Sequence, residues 1–491
     1  MKKNIKLNYI FNAGYKLFTI IVPLITAPYV SRVLGAEGVG TYSYTFSIVS
    51  YFTMVATLGG NAFGNRHIAI YQNDPHGRSV EFWNIAIFRA VPTVIVTILY
   101  FLYVIFIAED KTIAALQSLY LFGVLFDVGW FLQGLENFQT VAIRNFIFKI
   151  INIACIFLFV KSRDDLPIYI LCLGGLTALG NLSLWPYVKK YLIKINPQEL
   201  NPMKNAKAIL QLFFPTIACG LYAIVDKTMI GLFSCEAENG YYEQADKIIN
   251  MSLMLITALS AVMLPRIAAE SSRNNTQAVK AYITKACHFV WLLGLPLAFG
   301  LIGISEFFVP IFFGEGYDKV KILLPVMSCL FILKGLNDTI GYQYLVATNQ
   351  QNKYTQIIVI GGLANIVFNL ILIPQYYSLG AAIGSIIGEV VTCALEFAFV
   401  SRSKQIELKP IFKSSLKNFI SAATMLAFVL IIKYFTNSYL NNIFTLLGVI
   451  IVAAVVYFIV LIILKDSLVM SVLNPILNKL KNKIHNGGKA A

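Results

Sequence analysis

KKYLIKINPQELNPMKNA, residues 189–206, decides how the rest of the chain divides. It is one of the two longest stretches between apolar runs, and its two Asn-Pro pairs mark turns. Six apolar runs precede it, at 9–33, 40–63, 83–107, 113–134, 141–160 and 167–188. Six more follow, at 207–233, 245–265, 282–304, 322–346, 354–374 and 379–400. A basic connection at 401–414 then leads to two last runs, 415–435 and 443–464. Each run reaches roughly 20 residues, the length a helix needs to cross about 30 Å of hydrocarbon. Barrel strands would instead be about ten residues long with alternating polarity. The expected architecture is an all-α integral membrane protein with fourteen transmembrane helices: two pseudo-symmetric six-helix lobes plus two C-terminal helices. Its divisions are an N-terminal lobe (1–188), a cytoplasmic linker (189–206), a C-terminal lobe (207–400) and the last two spans with a basic tail (401–491).

Composition agrees. With 58% hydrophobic and 13% charged residues and a mean hydropathy of +0.71, an ordinary soluble globular protein is excluded. No small-residue cleavage site follows a short first apolar run, so the N-terminus reads as a retained span. The net charge of +15 is unevenly spread. Lys2, Lys3 and Lys6, then Lys189, Lys190, Lys194, Lys204 and Lys207, fall on one side of the membrane. Arg402, Lys404, Lys409, Lys413, Lys417 and the tail from Lys465 to Lys489 join them. By the positive-inside rule that side is the cytoplasm, which places both termini there. The basic excess is thus a topology signal with an affinity for anionic membrane lipids, not a nucleic-acid footprint.

The two halves echo each other. A shift of 200 residues superposes 38–70 on 238–270, with identities at Gly40/Gly240, Tyr42/Tyr242, Ile48/Ile248, Met54/Met254, Thr57/Thr257, Arg66/Arg266 and Ala69/Ala269. A second echo sets Asp127 and Asn137 against Asp338 and Asn349. With an even number of spans per half, such repeats share one orientation about an axis along the membrane normal.

Polar residues recur at helical spacing inside several spans. The first carries Asn8, Asn12, Lys16, Thr19, Pro23 and Thr26 on one face, the second Ser43, Ser47, Ser50, Thr57 and Asn61. The eighth carries Glu243, Lys247, Asn250 and Thr257. Hydroxyl and amide groups alone would serve helix–helix hydrogen bonding. Lysines on the same faces point to a hydrated cavity, because an intramembrane charge costs at least about 2.5–3.5 kcal/mol. In the seventh span Pro215 precedes the pair Asp226-Lys227, which reads either as an ion pair at the outer boundary or as a cavity-facing cation. Pro23 and Pro215 hold similar places in the two halves and are candidate kinks. Arg89 and Lys149 lie close enough to the cytoplasmic surface to snorkel. Lys334 and Asp338 sit one turn apart, where they can pair. Asp127 and Glu389 lie deeper without a partner visible in sequence, and with Asp226 they are the candidates for ion coupling.

Other chemistry is not visible. The seven cysteines (155, 172, 219, 235, 287, 329, 393) have no paired spacing and read as small buried hydrophobes. Four scattered histidines assemble no metal site. There is no P-loop, no dinucleotide fingerprint and no paired-carboxylate domain, so neither a cofactor nor an enzymatic activity is expected.

The run PLITAPYVSRVLGAEGVGTYSY (23–44), followed by GNRHIAIY (64–71), resembles the opening of Wzx-type oligosaccharide-lipid flippases. These belong to the MOP superfamily with the MATE multidrug exporters and the MurJ lipid II flippases. VDKTMIGLF (225–233), NGYYEQADKI (239–248) and LPRIAAE (264–270) look like the matching second-half segment. The resemblance implies a two-lobed, alternating-access flippase of a bacterial cytoplasmic (inner) membrane. It would carry undecaprenyl-diphosphate-linked O-antigen or capsular repeat units to the outer leaflet, beside a polysaccharide polymerase or export machinery. It places cavity cations at Lys16, Lys227 and Lys247, with Arg32 at the outer end of the first span. Asn12, Thr19, Asn61 and Asn250 would supply the polar stripe facing the glycan. Lysine stands here where the lipid II flippases are rich in arginine, and it lacks the bidentate fork that grips phosphate. A teichoic- or teichuronic-acid precursor flippase and a MATE-like antiporter are the alternatives of the same fold, and a membrane scaffold for polysaccharide synthesis is the alternative of another class.

Overall fold

The computed structural model describes residues 5–403, 406, 408–436 and 442–475; side chains at 5–13, 15–17, 20, 211, 212, 214–219, 222, 223, 403, 408 and 436 lie outside the described set. Every regular element among the described residues is helical. Eleven helices are long and apolar enough to cross a membrane, or twelve if a bent pair is one span. The chain is therefore an all-helical, multi-pass membrane protein. On Pro75–Phe106 the exposed residues Val91, Ile95, Ile98, Leu102 and Ile105 recur every three or four positions. An apolar face turned outward in this way fits lipid, not water.

The first expected spans, 9–33 and 40–63, form one element, Ile5–Thr57, interrupted only at Gly35. A straight helix of 53 residues would run about 80 Å, far more than a bilayer is thick. The chain turns at Gly35, whose φ of 69° and ψ of 179° are closed to a residue with a Cβ. The element then ends at Thr57, Leu58 and Gly59 take positive φ, and a new helix starts at Gly60. Two hundred residues later the helix breaks again at the matching position, without a positive φ. Glu236–Thr257 ends, Ser260–Ser272 begins, and the two are bent by 41°. Glu136 (φ 57°) and Asn349 (φ 60°) each close a helix, one residue out of register with the second echo, as Asn274 and Lys465 close theirs. The next amide donates to a carbonyl five residues back in both, Asn137 to Leu132 and Gln350 to Leu345.

Two compact units emerge from the packing, Met1–Glu243 and Gln244–Ala491. In the first, Phe82, Trp130 and Phe131 form an aromatic core with Val128, Leu132 and Leu184. The polar stretch that opened the sequence reading is tied to this unit, not loose. Glu81, buried near the start of Pro75–Phe106, accepts from Lys204 Nζ (3.0 Å), Asn205 Nδ2 (2.9 Å) and the His67 ring (3.0 Å). Arg78 donates to the Tyr191 carbonyl, the Ile193 amide to Ser79, and the Asn201 amide to Asn84. The Glu81 hydrogen bond, and then its charge, hold the Lys204 ammonium above the ordinary lysine range.

In the second unit, Gln351–Tyr376 packs very closely on Ser378–Ser403 through glycines: a Cβ on Gly380 would fall 2.3 Å from the Leu372 carbonyl oxygen. Small residues that let helix backbones approach are the membrane form of close packing. The last helices, Leu408–Thr436 and Ile443–Ile463, pack on Thr276–Phe313, where Tyr457 donates to the Leu292 carbonyl (2.9 Å). His288 meets Asp466 at 2.8 Å just beyond the final span. Burial opposes the charge on Asp466, but the His288 contact and two backbone amides outweigh it and hold the carboxyl below its usual range.

Candidate functional site

Polar residues of the second and seventh expected spans meet the start of Glu236–Thr257, up to Glu243, inside the first unit. Ala36 and Gly40 on Ile5–Thr57 lie against Glu236 and Gly240 on Glu236–Thr257. A Cβ on Gly40 would fall 1.7 Å from the Glu236 carbonyl oxygen, and one on Gly240 would fall 2.0 Å from that of Ala36. Each contact is the other displaced by 200 residues, as a local two-fold axis requires. Ser43 sits next along and donates to its own counterpart, Glu243, at 3.0 Å. Ser47 and Tyr51 both reach Thr228 at 2.8 Å.

Lys227 is engaged here. Its ammonium lies 2.7 Å from Glu243 Oε2, with the two side chains 20% and 13% exposed. Glu243 thus receives Lys227 and Ser43 on one oxygen, and the cation is at least partly neutralised in this conformation. Its neighbour Asp226 points elsewhere, as residues 100° apart on a helix do. Asp226 is buried and accepts from Tyr242 at 2.5 Å. Asp226 and Lys227 therefore serve different partners. Glu243, though on the expected stripe, was not singled out in sequence as a partner because sixteen residues and a reversal of direction separate it from Lys227.

A second polar group surrounds Asp127. Asn61 Nδ2 donates to Asp127 Oδ2 at 3.0 Å, and the Gly129 amide donates to Oδ1 at 2.9 Å. Arg89 lies 3.9 Å from the same carboxylate and donates to the Asp127 carbonyl at 3.2 Å. Its guanidinium also lies 5.8 Å from the Trp130 ring. Arg89 is only 5% exposed. The expectation that it snorkels is corrected: the break at Leu58–Gly59 and the turn at Asp127–Gly129 draw it inward. Asp127 accordingly has an ionic partner that sequence separation concealed.

The remaining expected residues are dispersed. Lys16 and Asn12 have side chains outside the described set, as does Pro215; Thr19 is half-buried and Arg32 exposed. Lys247 is half-buried in the second unit, and Asn250 donates to Asp246 at 2.7 Å. Asp338 accepts from Gln343 at 3.0 Å and from Ser260, and among the described residues it forms no ion pair with Lys334. Glu389 is buried and accepts from Asn337 Nδ2 at 2.5 Å.

These features coincide with a known family. The family profile described as "Polysaccharide biosynthesis protein" matches residues 5–271, more than half of the sequence. The chain belongs to that family. Among individual members, it is 24% identical over 410 residues to a putative O-antigen transporter of Escherichia coli strain K12, spanning 82% of this chain and 98% of that one. It is 26% identical over 277 residues to a probable low-salt glycan biosynthesis flippase of Haloferax volcanii, spanning 55% and 57%. Among solved structures, the lipid II flippase MurJ in an inward closed conformation superposes with a TM-score of 0.74 at 17% identity, covering 93% of this chain and 99% of that one. An inward-facing MATE multidrug resistance transporter of the MOP superfamily superposes at 0.59 and 15% identity, covering 81% and 99%. The family member thus has the MurJ/MATE fold.

Proposed function

We propose that this protein is a flippase for lipid-linked oligosaccharide, moving undecaprenyl-diphosphate-linked O-antigen or capsular repeat units from the cytoplasmic to the outer leaflet. The observation that carries the reading is the alignment along nearly the whole length of a protein named "Putative O-antigen transporter". The setting is a bacterial cytoplasmic membrane with both termini inside, as the distribution of Lys and Arg favours. The fourteen-span count follows if the bent pair is one span, Ile21–Ile70 is divided at Gly35, and Ala206–Phe233 is added to the twelve.

The proposed substrate has two chemical ends, a charged glycan diphosphate and an apolar prenyl chain, and each needs its own surface. In the first unit, the glycan diphosphate would meet Lys16, Arg32 and Lys227 with the Asn12, Thr19 and Asn61 side chains. The prenyl chain would lie in an apolar groove of about 360 Å³ lined by Leu255, Leu297, Leu301, Met425, Ile450 and Phe458. That groove gives the last two helices a role, since they form one wall of it. Alternating access would require the Gly40–Glu236 contact and the Lys227–Glu243 pair to open, which would release the ammonium for phosphate.

The test is reconstitution. Purified protein in liposomes should move a fluorescent lipid-linked oligosaccharide to the outer leaflet, and Lys16→Ala and Lys227→Ala should each slow it. Normal flipping by both variants would remove the cavity assignment. Equal movement of a free drug cation would favour the antiporter reading.

A further inference from the structure

Inside the second unit, three carboxylates gather where Leu330–Asn337 runs into a widened, π-helical stretch, Asp338–Val346, against Ser378–Ser403. Asp338 opens that stretch, while Glu389 and Glu396 project from one face of the facing helix, two turns or about 10 Å apart. Glu396 is fully buried. Its carboxylate presses on the backbone of Gly341, where a Cβ would fall 2.3 Å from Oε1. Neither Glu396 oxygen has a hydrogen-bond partner, and no Lys, Arg or His pairs with it among the described residues.

The neighbouring amides show the same deficit. Asn337 spends its NH₂ on Glu389, and Gln343 spends its own on Asp338 and Ser260 (2.9 Å). Their carbonyl oxygens, Asn337 Oδ1 and Gln343 Oε1, are buried and receive nothing. The orphaned atoms of this cluster are all acceptors. An acceptor surplus is relieved only by hydrogens or by a cation, and an ionised carboxylate left dry without donors costs several kcal/mol. Among the described residues no three carboxylate, thiol or imidazole groups converge closely enough to hold a metal ion. A proton is the cation that needs no such convergence.

We propose that Glu396 is a proton-binding site, occupied at rest, with Glu389 and Asp338 as the carboxylates whose like charge it senses. Uptake breaks one O–H bond of a solvent hydronium ion and forms one on a Glu396 oxygen, leaving water; release breaks that bond and returns the proton to water as hydronium. The titratable groups around it are Asp338, Glu389, Cys393 on its own helix, Cys287 on Thr276–Phe313, and Tyr354 on Gln351–Tyr376. Its mechanical outlet is Ser260, which donates to Asp338 from the first turn after the bend at Thr257. Charging Glu396 would pull on the groups that hold that bend. The use of the proton to drive transport rests on the flippase reading; the site itself does not.

Two measurements test it. Infrared difference spectra of the detergent-purified full chain, recorded across a pH step, should show a buried protonated-carboxyl C=O band that Glu396→Gln loses and Lys227→Ala keeps. Absence of the band in the unaltered protein, or its persistence in Glu396→Gln, overturns the proposal, and the first of these needs no variant to fold. In liposomes, an imposed pH gradient should accelerate flipping of lipid-linked oligosaccharide by the unaltered protein, and Glu396→Gln should lose that response. Flipping with an unchanged gradient response in Glu396→Gln refutes the coupling. If the unaltered protein flips nothing, the flippase reading fails while the infrared result still decides the site.

Discussion

Replacing Gly40 by alanine strikes the closest approach in the first unit. The added Cβ would lie 1.7 Å from the Glu236 carbonyl oxygen and 2.6 Å from its carbon. Ordinary carbon–oxygen contact begins at about 3.3–3.6 Å, so the helices must separate by about 1.7 Å. Backbone stands on both sides, so no rotamer change can absorb the clash. Overpacking of this kind costs about 1–3 kcal/mol. The separation also takes the 3.0 Å Ser43–Glu243 bond beyond hydrogen-bonding range, at about 1 kcal/mol. Gly40→Ala should therefore cost about 2–4 kcal/mol. Gly240→Ala, starting from 2.0 Å, should cost slightly less. The two clashes lie across one interface, so a single separation clears both. The double variant should then lose about as much as Gly40→Ala alone, well short of the sum. Unfolding of the purified protein, followed by tryptophan fluorescence against temperature and denaturant, supplies all four corners of the cycle. Strict additivity, or a Gly40→Ala protein within about 0.5 kcal/mol of the original, would show that the reciprocal contact does not exist in solution.

Three further outcomes follow from individual contacts. A double-mutant cycle of Lys227→Met and Glu243→Gln should give a coupling of about 1–2 kcal/mol, since the pair is short but partly exposed; a coupling near zero would remove the pair. Glu81→Ala should free the 189–206 stretch and speed tryptic cleavage at Lys194 and Lys204. In the unaltered protein, the Glu81–Lys204 contribution is fully present below the free lysine value of about 10.4. It should fade only as pH rises through the raised folded value, and faster cleavage already at neutral pH would contradict it. Asp466, held low, stabilises the packing of the last span above the free aspartate range and loses that contribution as pH falls through its own lower value. Asp466→Asn should therefore lower the melting temperature at neutral pH and flatten its decline in acid, and an unchanged acid limb would refute the assignment.

The helices were legible because their cause is one-dimensional: a run of about twenty apolar residues has no alternative in lipid. The 200-residue repeat was legible for a related reason. Gly40 and Gly240 recur because each meets the other's helix at backbone distance, and the breaks after Thr57 and Thr257 recur with them. Ionic partnership was not legible. Arg89 and Asp127 are 38 residues apart, and whether a cation two turns from the surface bends outward to water or inward to a carboxylate depends on the turn at Leu58–Gly59. Lys334 and Asp338 failed in the opposite direction. They stand at the right spacing on one helix, but the Ser260 hydroxyl and the Gln343 amide reach Asp338 instead. Glu396 left no sequence signal beyond one more carboxylate near a helix end, because its character lies in the donors it lacks.

That contrast bears on how the work could be divided within the molecule. The first unit holds two opposed pairs of intramembrane charges, Arg89 with Asp127 and Lys227 with Glu243, each reinforced by hydroxyl or amide donors. Opposed pairs are stable closed and costly to strip of one partner, about 3–5 kcal/mol when buried. They suit a machine that must hold a conformation until an anion replaces the carboxylate. Loss of transport in Asp127→Asn would therefore report an Arg89 left without its carboxylate before it reported a lost proton. The cluster in the second unit is built in the opposite sense, with three carboxylates, acceptor oxygens left over and, among the described residues, no paired cation at Glu396. Such a site cannot wait for an anion; it binds positive charge or pays for remaining empty.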